Sequence, residues 1–114
     1  MSELAKKKCV PCEGGVPPLA PDEYAPLFQQ LQNGWKVVDE SQLRREYGFP
    51  DFATALHFTN KIGKLAEDEG HHPDILLAWG RVVVTLWTHK AGGLTESDFI
   101  LAAKIDELRQ QERR

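Results

Sequence analysis

The run Val82-Val83-Val84-Thr85-Leu86-Trp87-Thr88 most restricts what this chain can fold into. β-Branched, aromatic and aliphatic residues in unbroken succession favour an extended strand. Gly80 breaks the chain just before it, and Ile75 to Trp79 precedes that break, so the two segments read as a hairpin, with the second strand running from Arg81 to His89. Trp35 to Glu40 and Leu43 to Phe49 form a second antiparallel pair joined through Asp39 to Gln42. Alternation along this pair is imperfect, which leaves its register open. Four short strands cannot bury both faces of a sheet by themselves.

Three amphipathic segments supply the missing layer. Pro21 and Asp22 open a helix to about Asn33, with Tyr24, Leu27, Phe28 and Leu31 on its apolar side and Gly34 as its stop. Asp51 caps a long helix ending near Glu69. Phe52, Ala55, Leu56, Phe58, Thr59, Ile62, Leu65 and Ala66 make its broad stripe, and Gly70 permits a left-handed exit. Thr95 opens the last helix, with Asp98 placed as in a capping box and Phe99, Ala102, Ile105 and Leu108 turned inward. Helices alternating with pairs of strands imply a two-layer α+β domain, a four-stranded antiparallel sheet covered on one face by about three helices. The other face is left exposed or meets a partner.

At 114 residues the chain has room for one domain with a modest core. Residues 1–21, rich in Pro and Gly, read as an irregular tail, and 22–114 as the domain. A net charge of −3 with scattered basic residues gives no footprint for direct nucleic-acid binding. No apolar run approaches the roughly 20 residues of a membrane span, and the start lacks a signal-peptide core, so a cytoplasmic protein is expected.

Histidine carries the densest chemical signal. His71 and His72, followed by Pro73, lie at a helix end just before a strand; His89 closes the Val82 to Thr88 strand, and Asp98 sits in the first turn of the next helix. Histidine moves protons near neutral pH, and element ends line clefts, so this set is a candidate acid–base site. Helix-end dipole stabilisation, exposure at a strand end and simple capping by Asp98 account for the same residues without catalysis. A three-histidine metal site is a further reading, though adjacent His71 and His72 need not converge and no fourth ligand is evident. His57, in mid-helix, reads as a packing or surface residue. Cys9 and Cys12 have zinc-like CxxC spacing but supply only two ligands, leaving inert, metal-related and redox readings open. Trp35, Trp79 and Trp87 are candidates for stacking on a flat ligand as well as for core packing; Trp79 is expected to lie nearest the histidines.

Taken together, Glu67-Asp68-Glu69-Gly70-His71-His72-Pro73, Trp79, Thr85-Leu86-Trp87-Thr88-His89 and Gly93-Leu94-Thr95-Glu96-Ser97-Asp98 resemble the pterin-4a-carbinolamine dehydratases, also called 4a-hydroxytetrahydrobiopterin dehydratases. Gly34-Trp35 and Phe49-Pro50-Asp51-Phe52 resemble earlier segments of that family, and the likeness runs from about Asp22 to Gln110. It implies the α+β fold reached above and a homodimer or homotetramer. It implies loss of water from 4a-hydroxytetrahydrobiopterin to give the quinonoid dihydropterin, a step in tetrahydropterin recycling linked to aromatic amino acid hydroxylases. No metal or organic cofactor is implied. The resemblance makes His71, His72 and His89 the acid–base set, with His71 and His89 nearest the reacting edge. Glu67 and Asp98 then orient histidines or bind ring edges, and Pro73, Trp79 and Thr88 support the pterin pocket. A dehydratase-like pterin-binding protein, or a dimerisation partner regulating another protein, is the alternative function.

Overall fold

Burial alternates along two central strands, and this alternation sets the architecture. The computed structural model describes residues 4–9 and 17–112, residue 112 without its side chain. Strand β1 spans Lys36–Val38, β2 Gln42–Gly48, β3 Asp74–Ala78 and β4 Arg81–Leu86. They form one antiparallel sheet in the order β1-β2-β4-β3. Leu43 and Tyr47 on β2 face the same way as Val82, Val84 and Leu86 on β4, and all five are buried. Arg44, Glu46, Val83 and Thr85 turn to the opposite face, which no helix among the described residues covers. Leu76 on the edge strand β3 points there too and is 50% exposed.

Helix α1 (Pro21–Phe28), α2 (Phe52–Glu69) and α3 (Glu96–Glu112) accompany the sheet, giving the expected two-layer α+β domain. Ala55, Phe58, Ile62 and Ala66 of α2 are buried, as are Phe99 to Ala103 and Ile105 of α3. Helix α1 joins the core through Tyr24, which stacks on Phe99 with ring centroids 6.0 Å apart. No helix among the described residues is long and apolar enough to cross a membrane.

Several boundaries differ from the sequence reading. Helix α1 stops at Phe28 rather than Asn33. Beyond Phe28 the backbone turns through the tighter bonds Gln30 N–H to Leu27 O and Leu31 N–H to Phe28 O rather than continuing the α-helical ladder. Strand β4 ends at Leu86 rather than His89; beyond it only Thr88 pairs, with Gly93. The turn from β1 to β2 puts Asp39 and Glu40 at φ of 52° and 56°, closed by Ser41 N–H to Val38 O. Such paired left-handed residues match the twist of a tight hairpin.

The imperfect alternation of β2 has a specific cause. Arg45 occupies an inward position between Leu43 and Tyr47. An inward charge requires a partner, and Asp106 of α3 supplies it at 2.7 Å. The same carboxylate accepts from Trp35 Nε1 at 2.9 Å, from the Tyr47 hydroxyl at 2.8 Å and from the Gln32 amide at 3.3 Å. Burial, and next the Asp106 charge, push the Tyr47 phenol well above its ordinary pKa, so it stays a donor. One side chain thereby ties β2, the residue just before β1 and the segment after α1 to α3.

Asp106→Ala strands Arg45 beside a buried void and should destabilise the protein by about 3–5 kcal/mol, read from urea unfolding; a loss below about 1 kcal/mol would show that the cluster is dispensable. At the start of α2, the Asp51 carboxylate accepts from the Thr54 amide at 2.8 Å and hydroxyl at 2.6 Å, and these bonds hold its pKa below the ordinary value. A depressed carboxylate stabilises the fold above its unfolded pKa of about 3.9 and loses that contribution as pH falls through the folded value. The gap in thermal midpoint between wild type and Asp51→Ala should therefore narrow on acidification from pH 6 to pH 3; a constant gap would contradict this.

Candidate active site

Three chain segments meet at one end of the sheet. The first is the exit of α2. Gly70 caps the helix at φ 66°, a left-handed conformation that costs glycine little. Its amide and that of His71 both donate to Ala66 O, as in a tight helix end. The chain then runs without helix or strand through His71, His72 and Pro73 into β3. Pro73 disfavours helical geometry at His72, so the helix cannot continue.

The second segment follows β4. Leu86 and Thr88 are buried, while Trp87 is half-buried and His89 exposed. A turn brings the chain back, with Thr88 N–H donating to Gly93 O at 2.8 Å. Gly93 packs against Pro18, where a Cβ on residue 93 would lie 2.7 Å from the Pro18 Cβ. Leu19 N–H donates to Leu94 O at 2.7 Å alongside. The third segment is the start of α3, which carries Asp98.

Asp98 joins all three. It is fully buried and accepts from His71 Nε2 at 2.6 Å on one oxygen. Its other oxygen takes the Thr88 hydroxyl and the Thr95 amide, each at 2.9 Å. An ionised carboxylate only accepts, so the His71 nitrogen facing it carries the proton and Nδ1 is the free ring position. Thr88 has spent its one proton on Asp98, so Thr95 donates in the 2.8 Å contact between the two hydroxyls. The capping role expected of Asp98 is present in its amide bond to Thr95, and the His71 contact is additional.

His72 diverges from His71. Its Nε2 meets the Glu67 carboxylate one turn back on α2, and both side chains are exposed. His89 stacks on Trp87, with ring centroids 4.4 Å apart and planes 20° from parallel. Gly70, His71, His72, Trp87, Thr88, His89 and Lys90 line an open cleft of about 340 Å³, a volume that admits a small ring system.

The structure thus brings together His71, His72, His89, Thr88 and Asp98, with Glu67 behind His72. Pro73 shapes the chain without lining the cleft. Trp79 lies elsewhere. It occupies the tight β3–β4 turn, 69% exposed and roughly 16 Å of strand away from the histidines. Trp87 takes the aromatic place in the cleft instead. Its spacing of two from His89 was the available signal, because alternate residues of an extended chain share a face.

The stretch read as a tail packs on this end of the domain over its described part. Leu4–Lys6 forms a single 3-10 turn, and Leu4 is buried in the core. Lys104 donates to Ala5 O at 2.9 Å and lies 3.7 Å from Glu69, the last residue of α2. Glu69 also accepts the Cys9 amide at 2.9 Å. The Cys9 sulfur approaches Ser97 O at 3.5 Å. Burial, followed by the Glu69 charge, pushes its thiol up to about 12. Cys12 lies outside the described residues, as do Gly14, Gly15, Arg113 and Arg114. Among the described residues no three His, Cys, Asp or Glu side chains form a cluster able to hold a metal. His57 is exposed on α2.

Comparison with known proteins gives this geometry a family. A solved structure titled transcriptional coactivator/pterin dehydratase, from Brucella melitensis, superposes with a TM-score of 0.74 at 36% identity, covering 80% of this chain and 97% of that one. The fold is therefore of the pterin dehydratase class. The profile of the pterin 4 alpha carbinolamine dehydratase family matches residues 17–108, and the chain belongs to that family. A relative from Rubrobacter xylanophilus that carries the family's name is 58% identical over 95% of this chain and all of its own length. Another from Alkaliphilus metalliredigens is 55% identical over 94% of this chain and 96% of its own. A pterin dehydratase-like protein identified as a RuBisCO assembly factor in the alpha-carboxysome shares the fold at a TM-score of 0.58 and 24% identity, covering 68% of this chain and 90% of that one. The fold alone therefore does not dictate one role.

A thiol held near 12 is almost wholly protonated at pH 8. Cys9 should react with iodoacetamide about a hundredfold or more slowly than a free cysteine, followed by site-resolved mass spectrometry; labelling at the free-thiol rate would contradict its burial.

Proposed function

We propose that this protein dehydrates 4a-hydroxytetrahydrobiopterin to quinonoid dihydropterin and water by histidine acid–base catalysis. The observation that carries the reading is the His71–Asp98–Thr88 chain of hydrogen bonds at a cleft that also holds His72 and His89. The reaction breaks the C4a–O bond as a proton is delivered to the leaving hydroxyl, which departs as water. A base takes the N5 proton, and the N–H electron pair becomes the C4a=N5 double bond. Two proton transfers complete the balance, and no electrons leave the substrate. Groups that titrate near neutral pH suit both transfers.

Asp98 fixes the His71 ring and its tautomer, leaving Nδ1 to exchange a proton with the substrate. Glu67 does the same for His72 from a more exposed position. His71 and His89 are the pair assigned to the reacting edge, and His72 to binding or assistance. In a cytoplasmic setting the product would return to a reductase for reuse by a pterin-dependent hydroxylase.

The test follows 4a-hydroxytetrahydropterin loss by ultraviolet absorbance in a coupled hydroxylase assay. Wild-type protein should accelerate dehydration over buffer. His71→Ala and His89→Ala should each lower the rate by about 10²-fold or more, within the range of general acid–base catalysis. Unchanged rates in both variants would overturn the assignment, and a wild-type rate equal to buffer would overturn the dehydratase reading.

A further inference from the structure

Trp87 has a role beyond packing. His71 and His72 each have a carboxylate that fixes the ring. His89 is exposed, and among the described residues the contact that orients its ring is the stack on Trp87 at 4.4 Å and 20°. Near-parallel rings at that separation are in stacked aromatic contact.

The stack is prepared by the backbone. Thr88 turns inward because its hydroxyl donates to buried Asp98 and its amide to Gly93. Its neighbours must then point the other way. Trp87 and His89 therefore emerge on one side, into the cleft, and the turn that begins at His89 keeps them side by side. The buried carboxylate that holds His71 thus also sets, through Thr88, the side from which His89 enters.

We propose that Trp87 is a positioning residue for His89: its indole takes the place that carboxylates fill for the other two histidines, holding the imidazole against the cleft. The proposal rests on the dehydration described above, since His89 has a proton to move only there. It assigns Trp87 to turnover, acting through His89, rather than to substrate affinity.

Nuclear magnetic resonance of the histidine ring protons tests the stack without reference to activity. The His89 signals are assigned by their absence in His89→Ala, then compared in wild type, Trp87→Phe and Trp87→Leu. Protons above an indole face resonate upfield; Trp87→Leu should return them to free-histidine positions, and Trp87→Phe should keep part of the displacement. In the coupled assay Trp87→Leu should lower kcat by about tenfold with KM changed less than about twofold, and Trp87→Phe should recover to within about threefold of wild type. Three results overturn the proposal: His89 resonances unmoved in Trp87→Leu, an unchanged kcat once the stack is lost, or a raised KM at constant kcat, which would make Trp87 a substrate contact. An inactive wild type is a separate failure, that of the dehydratase reading, and ends any role of Trp87 in turnover; an active wild type with an equally active Trp87→Leu sinks the positioning role alone.

Discussion

Helix α3 buries two carboxylates, and the rest of the molecule is arranged around satisfying them. A buried, unpaired carboxylate costs several kcal/mol, so each must collect donors from whatever packs nearby. Asp106 draws in Trp35, Arg45, Tyr47 and the Gln32 amide. Asp98, about two turns earlier, draws in His71, Thr88 and the Thr95 amide. The first set fixes one end of the sheet to the helix layer. The second fixes the opposite end of β4 and the exit of α2. Both ends are locked by the same kind of interaction, and the second has an imidazole among its donors and an open cleft beside it.

That difference separates structure from function along a single helix. Asp106 is held by the Trp35 indole, the Tyr47 hydroxyl and the Arg45 guanidinium. Asp98 is just as buried, yet its partner His71 reaches the surface, at 13% side-chain exposure. The carboxylate stays out of solvent while the imidazole it orients meets the cleft, as a positioned acid–base group requires. The N-terminal segment reinforces this end, because Glu69 and Lys104 tie it to the last turn of α2 immediately before His71. Secondary structure, core packing and site geometry therefore converge on residues 66–72 and 88–98.

Much of this was legible in the chain. The unbroken Val82 to Thr88 run, the apolar stripe of α2 and the Gly70 exit led to four strands and a helical layer on one face. His71, His72, His89 and Asp98 fell at element ends, which already implied a shared edge. Less was legible where a local rule was overridden. Helix α1 gave way to tighter turn bonds after Phe28 although its apolar spacing ran on to Leu31. Arg45 blurred the alternation of β2 because its partner lies some 60 residues away on α3. Trp79 was expected nearest the histidines, but the five extended residues between it and Pro73 carry it to the far end of a strand.

The amino-acid order by itself determined the types and sequence of the elements and the identity of the histidines. Those follow from periodicity and from turn and cap chemistry, which act over a few residues. Only the tertiary structure decided which charges are paired. It made Trp87 rather than Trp79 the aromatic of the cleft, and it folded the Leu4 segment onto α3. These outcomes depend on contacts between residues far apart in the chain. Such contacts form once the sheet and helices enclose a low-dielectric core, where an unpaired polar group is costly and a paired one is held in place.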